Sequence, residues 1–171
     1  MRMKVSISQP HTKGFSLVEM LVYVAMLVVV ATVSVASLIS LSDSFQQQKA
    51  RQLVVRNAVS VTERMLTDIR VAQDVDQFSS TFQATPGVLT LVNGPTTTAY
   101  SVVSGVLEVS VENESSALTD NAVTIDEIIF YLYDNTVTEF VRMQLTLSAT
   151  AGSVTYTETF NAGAVLRGSY E

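Results

Sequence analysis

Seven consecutive residues, Lys13-Gly14-Phe15-Ser16-Leu17-Val18-Glu19, hold the most pointed chemistry in the chain. They stand directly before a run, Met20 to Ser42, that carries no charged group. Glu19 is the anomaly. A charge at the centre of a membrane helix costs about 2.5 to 3.5 kcal/mol on insertion scales and less near an end, so a carboxylate at the head of such a run calls for a cationic partner. Cutting the peptide bond after Gly14 would create one. The new amino group on Phe15 would lie one helical turn from Glu19, or within reach of the Glu19 of a neighbouring chain. Cleavage and carboxylate would then form one recognition device.

Other reactive groupings are weaker. Asp120, Asp126 and Glu127 are oxygen ligands of the kind calcium takes, but their spacing fits no calcium loop. Glu108, Glu112 and Glu114 invite a hydrolase reading, yet strand alternation puts Glu108 and Glu112 on a polar face, where charges ordinarily sit. His11 is the one histidine and cannot build a metal cluster or a triad alone. With no cysteine, thiolate metal sites, disulfides and a thiol nucleophile are excluded. Asn113-Glu114-Ser115 fits a three-residue glycosylation acceptor pattern. Tyr131, Tyr133 and Met143 read as sheet packing rather than as a binding stripe. The expectation is a non-enzymatic chain with no metal and no cofactor.

The elements that must position the Gly14–Glu19 string follow from composition and periodicity. The chain has 171 residues, 47% of them hydrophobic and 15% charged, enough for one domain of ordinary size. Sixteen acids face ten bases, and the pI of about 4.7 argues against direct nucleic-acid binding, which needs a basic surface. Charge is sorted by position: Arg2, Lys4 and Lys13 lead, the uncharged run follows, and from Asp74 onward 12 acids meet only Arg142 and Arg167. The run from Met20 to Ser42 is roughly 35 Å long as a helix, against a hydrocarbon core of about 30 Å. It can span a membrane. The positive leader places the N-terminus in the cytoplasm and the acidic domain outside.

Between Phe15 and Thr85 there is neither glycine nor proline, which predicts one continuous helix from about Phe15 to about Asp74. Its second half is amphipathic, with Val54, Ala58, Val61, Met65, Ile69 and Ala72 at spacings of four and three. After Pro86-Gly87 the period changes to two, predicting antiparallel strands over Val88–Val92, Thr97–Val103, Val106–Glu112, Ile125–Tyr133, Phe140–Ala149 and Ser153–Phe160. Turn signals stand at Asn93-Gly94-Pro95, Ser104-Gly105, Asp134-Asn135 and Ala151-Gly152. The strand at Ile125–Tyr133 is apolar on both faces and is expected to lie centrally. Asn113 to Thr124 reads as a polar surface loop. The resulting fold class is α+β: a long N-terminal helix, its second half packed on an antiparallel sheet. The expected divisions are a leader at 1–14, a membrane helix at 15–42, an amphipathic continuation and linker at 43–85, and a sheet domain at 86–171.

With these parts in place, the N-terminus resembles the type IV pilin and pseudopilin superfamily: basic leader, Gly14 before a cut, Phe15 after it, then Ser16-Leu17-Val18-Glu19 and an apolar run. The resemblance implies cleavage after Gly14 by a membrane prepilin peptidase, methylation of the new Phe15 terminus, and a role for Glu19 in register and charge pairing during assembly. It further implies as partners other pilin-like subunits, an assembly platform protein and the cytoplasmic membrane, with the processed chain ending in a filament in the periplasm or at the cell surface. Thr98-Ala99-Tyr100-Ser101-Val102, Gly105-Val106-Leu107, Leu118 to Ile125 and Gly163-Ala164-Val165-Leu166-Arg167-Gly168 look like the minor pilin class often called PilW/PulJ-like. The chain departs from many major pilins in lacking a mid-helix proline and a disulfide-closed terminal loop.

Two plainer alternatives compete. A secretory signal peptide would be cut near Ser34-Val35-Ala36, but would leave Gly14-Phe15 and Glu19 unexplained. A single-pass anchored binding or adhesion domain acting alone would begin at Met1 and would not depend on partner subunits.

Overall fold

The computed structural model describes residue 14 and residues 16–112, 114–135 and 138–167. The chain divides between Ser42 and Asp43 into two units. Helix α1, Leu17–Val71, contributes its first part to one and its second part to the other. In the first unit none of the helical residues up to Ser42 is buried. In the second, Ala50, Val54, Ala58, Val61, Met65 and Ile69 are fully buried along one stripe, continued by Ala72. Those spacings of three and four are what a 3.6-residue turn needs to keep one face on a core.

The helix ends three residues before the expected Asp74. The Ala72 amide still bonds the Asp68 carbonyl at 3.0 Å, but the Gln73 amide turns to Val92 at 2.9 Å. Sheet pairing thus captures the chain, and β1, Asp74–Val75, lies antiparallel to β2, Leu89–Asn93. At the other end Phe15, the expected first helical residue, lies outside the described residues.

The expected single sheet is divided into two. One is a five-stranded antiparallel meander of β1, β2, β3 (Thr96–Val103), β4 (Val106–Val111) and β5 (Glu114–Ala117). The other is three-stranded: β6 (Val123–Asn135), β7 (Thr138–Ala151) and β8 (Val154–Val165). The division arises at β6. Its Ile125 amide bonds the Gly105 carbonyl, and its Ile128 and Phe130 carbonyls accept the Gly87 and Gln83 amides. Turn and loop backbone, rather than another strand, therefore occupies that edge. So β6 is an edge strand, not the central one; β7 is central. The two-sided apolarity of β6 has a different cause. Ile128 and Phe130 are fully buried, while Ile129 and Tyr131 are half-buried on the outer face, where Arg142 stacks 5.5 Å from the Tyr131 ring.

The stretch read as a loop from Asn113 holds β5, whose four residues are all exposed. Its polar sequence shows no alternation because neither face is covered. Val111 pairs with Glu114 across a turn in which Glu112 has φ of 50°. Val103 and Val106 pair across Ser104-Gly105, both at positive φ, as a tight two-residue hairpin requires. By contrast, Asp134 and Asn135 are not the expected turn: they continue β6, pairing with Glu139 and Thr138.

Helix and both sheets share one core in the second unit, running from Val54 and Met65 through Tyr100 and Leu107 to Phe130 and Leu145. Polar anchors fix the helix to it. The fully buried Tyr100 donates its hydroxyl to Asp68 Oδ2, which also accepts Arg64 Nε at 3.0 Å. Burial, with the hydrogen bond to Asp68, holds the Tyr100 phenol well above its ordinary range. Asn57 Oδ1 accepts the Asp120 amide at 3.0 Å, and Gln46 Oε1 accepts the Ser153 amide at 3.0 Å.

Candidate processing and assembly site

Gly14 is exposed, and a Cβ built on it would meet no atom within 4 Å. Phe15, on the other side of the bond, lies outside the described residues. Ser16 precedes the helix, and its carbonyl accepts the Met20 amide at 3.1 Å. That bond makes Ser16 the N-cap and Glu19 the third helical residue. Ser-x-x-Glu is the spacing of a capping box, in which each side chain can serve an amide of the first turn. Glu19 is exposed in that turn, where its charge also opposes the helix dipole.

Beyond Glu19 the helix is apolar on every side. An 18-residue window within it has a mean hydropathy of 2.5 and is wholly exposed in the protein. Leu21, Val22, Ala25, Met26, Val29 and Val30 line a shallow groove of about 420 Å³. The hydroxyls of Ser34 and Ser37 donate to the carbonyls four residues back, at 2.8 and 2.9 Å. Thr32 Oγ1 lies 2.8 Å from the Val29 carbonyl. Such back-bonding meets the needs of hydroxyls where no water is at hand.

The other candidate carboxylates stay apart. Asp120 accepts the Ala122 amide, Asp126 the Ser148 hydroxyl, and Glu127 the Thr85 hydroxyl. Glu112 accepts from Thr96. Among the described residues no three potential metal ligands come together. His11 and Asn113 lie outside them.

A helix long and apolar enough to cross a membrane follows directly on the string Gly14-Phe15-Ser16 in the sequence. Comparison with protein families agrees: residues 10–35 match the prokaryotic N-terminal methylation motif. The chain thus carries the prepilin-type signal of type IV pilins and pseudopilins, and its helix-plus-sheet layout is consistent with a pilin-like fold. No curated protein and no solved structure matches it.

Proposed function

We propose that the chain is a structural, non-catalytic subunit, a minor pilin or pseudopilin of the PilW/PulJ-like kind, assembled into a type IV pilus or a type II secretion-like filament. Prepilin peptidase cuts after Gly14, Phe15 becomes the methylated terminus, and Glu19 pairs with an N-terminal amine as subunits stack. The observation that carries this reading is the methylation motif at 10–35 running directly into a helix whose membrane-length part buries nothing. Before assembly that part rests in the cytoplasmic membrane with the C-terminal domain outside; afterwards it packs against like helices. Lipid tails are already apolar, so packing and the Glu19 contact must favour the filament.

The mass of the mature N-terminus tests the processing step: a methylated start at Phe15 is expected, whereas a start at Met1 or Ser37 refutes it. Assembly is tested by Glu19→Gln and Glu19→Ala. Glutamine retains the capping-box geometry and removes the charge, so E19Q is expected to insert normally yet co-purify with partner subunits at less than about a tenth of the wild-type yield, the loss of about 1.4 kcal/mol or more. Wild-type recovery of E19Q would show that charge pairing plays no part.

A further inference from the structure

Of the strands that border the two sheets, three are short or already covered. β1 has two residues and β5 has four. Along β6, the Gly87 and Gln83 amides and the Gly105 carbonyl take the ladder positions. β8 is the exception: it runs twelve residues, from Val154 to Val165, and among the described residues β7 is its one strand neighbour. A long free edge is a template for another strand, so edge strands are ordinarily blunted by shortness, proline, lysine or a bulge. β8 has no proline, no lysine or arginine, and no shift in its register with β7.

The turn fixes which backbone groups point outward. Gly152-Ser153 is a two-residue loop between the paired Ala151 and Val154, with Gly152 at φ of 60°, so Ala151 and Val154 exchange ladder bonds. Alternation then directs the even-numbered residues of β8 to β7. The Leu166 amide keeps the same phase, bonded to the Glu139 carbonyl at 3.0 Å. The amides and carbonyls of Thr155, Thr157, Thr159, Asn161 and Gly163 therefore face away from β7, and no described residue bonds them. Side chains along this edge are incompletely covered too. Tyr156, Phe160 and Ala162 are partly buried against the core, whereas the central strand β7 buries Val141, Met143, Leu145 and Leu147.

We propose that the free edge of β8 receives an extended segment of a different pilin-like subunit, which adds a fourth strand beside β8. This inference rests on the filament reading and deepens it by naming where the subunit grips a neighbour and the kind of segment it takes. Main-chain bonds to the outward positions supply affinity, and alternate side chains supply specificity. On the inner side the segment carries apolar residues that cover Tyr156, Phe160 and Ala162. On the outer side it meets the exposed row of Thr155, Thr157 and Thr159 and is polar or β-branched. Its flanks are acidic. Arg51 stands beside the Tyr156 hydroxyl, and Arg142 Nη2 donates to Asn161 at 3.1 Å, so a cation lies near each end of the edge. Glu158, the acid of the strand, is engaged by the Tyr156 hydroxyl at 2.9 Å. A second copy fits less well. Two β8 strands paired antiparallel are related by a two-fold axis, which turns their α1 stems in opposite directions, whereas subunits of one filament leave the same membrane with the same sense.

Amide hydrogen exchange on the full-length protein from its own host reads the main-chain bonds directly. In membranes and sheared filaments that hold the partner subunits, the amides of Thr155, Thr157, Thr159 and Asn161 are expected to exchange at least about tenfold more slowly than in the detergent-solubilised monomer, with the amides bonded to β7 little changed. A photo-crosslinking phenylalanine analogue at position 157 leaves the backbone intact. It should give an adduct to a chain with its own prepilin-type start, within a segment that alternates apolar and polar residues. Thr157→Pro deletes an outward amide and no ladder bond to β7, so it should melt with the wild type yet lose the protection and retain less than about a tenth of the partner. Unchanged exchange, or an adduct to a second copy, to lipid or to a chain without such a start, would each overturn the added strand; should T157P not fold, exchange in the wild type and the adduct decide. The N-terminal mass of the same sample separates the two ideas. A methylated Phe15 start without the protection refutes the added strand alone, and an unprocessed start refutes the filament reading.

Discussion

Tyr100→Phe removes one oxygen atom from the fully buried anchor between β3 and α1. The phenol donates to Asp68 Oδ2, a carboxylate that Arg64 already neutralises in part, so the bond is charge-assisted but its acceptor is not abandoned when the phenol goes. Hydrogen bonds to charged groups contribute about 1.5 to 3 kcal/mol, and the remaining Arg64 contact places the loss near the lower end, about 1.5 kcal/mol at pH 7. The pH dependence is the sharper test. Burial and the bond to Asp68 raise the folded-state pKa of Tyr100 above its ordinary 10.0, so the stabilisation is complete below pH 10 and fades as pH climbs beyond it. In that range the unfolded chain releases a proton that the folded one keeps, which costs about 1.4 kcal/mol of stability per pH unit. Near pH 11 the wild-type advantage over Y100F should therefore be almost cancelled. Thermal melts of both chains in the same detergent, at half-unit steps from pH 7 to 11, measure the difference directly. A wild-type advantage that stays constant across that range, or that is absent at pH 7, would refute the account of the anchor.

Three further outcomes follow from the packing of the second unit. Gly163→Ala should destabilise by about 1 to 3 kcal/mol, because a Cβ there would overlap Phe140 Cζ and sit 3.0 Å from the Val141 carbonyl; if the strain is real, G163A and Phe140→Ala will be less than additive in melts. Met65→Ala, in the middle of the buried helix stripe, should cost about 2 to 5 kcal/mol, and a melt shifted by less than the equivalent of 1 kcal/mol would show that the stripe is not packed as described. Glu139→Gln should make the protein slightly more stable at pH 7, by under about 1 kcal/mol since the group is partly exposed. The carboxyl keeps its proton to a higher pH folded than its unfolded value of 4.5, so its contribution is full below pH 4.5 and is lost as pH rises through the folded value. A wild-type to E139Q difference that is the same at pH 4 and pH 7 would contradict that sign.

What the sequence made legible was whatever obeys a simple period. The stripe Val54, Ala58, Val61, Met65, Ile69 and Ala72 repeats at helical spacing because one face meets a core, and all six are buried. Strands β4 and β7 alternate because one face is wet. Where the period failed, the cause was a neighbour that the local pattern cannot name. β5 is an uncovered edge, so nothing in Glu114 to Ala117 marks it as a strand. β6 is apolar on both sides because of an aromatic and arginine cluster on its outer face, which imitates a central strand. The Tyr100–Asp68 anchor joins residues 32 positions apart, and the Gln46–Ser153 bond joins residues 107 apart. Neither separation has a local signature. At the N-terminus the types and order of residues were enough to point to the methylation motif that residues 10–35 match. The capping position of Ser16 became plain only with the bond from Met20.

The two parts of α1 place different demands on their surroundings. Residues from Asp43 onward present one apolar stripe, and the protein's own sheets cover it. Residues from Leu17 to Ser42 are apolar all round, and a helix of that kind must be enclosed on every side. None of these residues is buried among the described residues. Lipid and a bundle of like helices can both supply it, and both meet the apolar side chains about equally well. Ser34 and Ser37 do not discriminate either, because their hydroxyls are already bonded within the helix. Glu19 is the charged group in this part, and its ionisation is costly in hydrocarbon and much less so beside an amine. In the filament reading, the balance between membrane and assembly is therefore set at the first turn of the helix, and the length of apolar chain behind it serves to keep the subunit in either place.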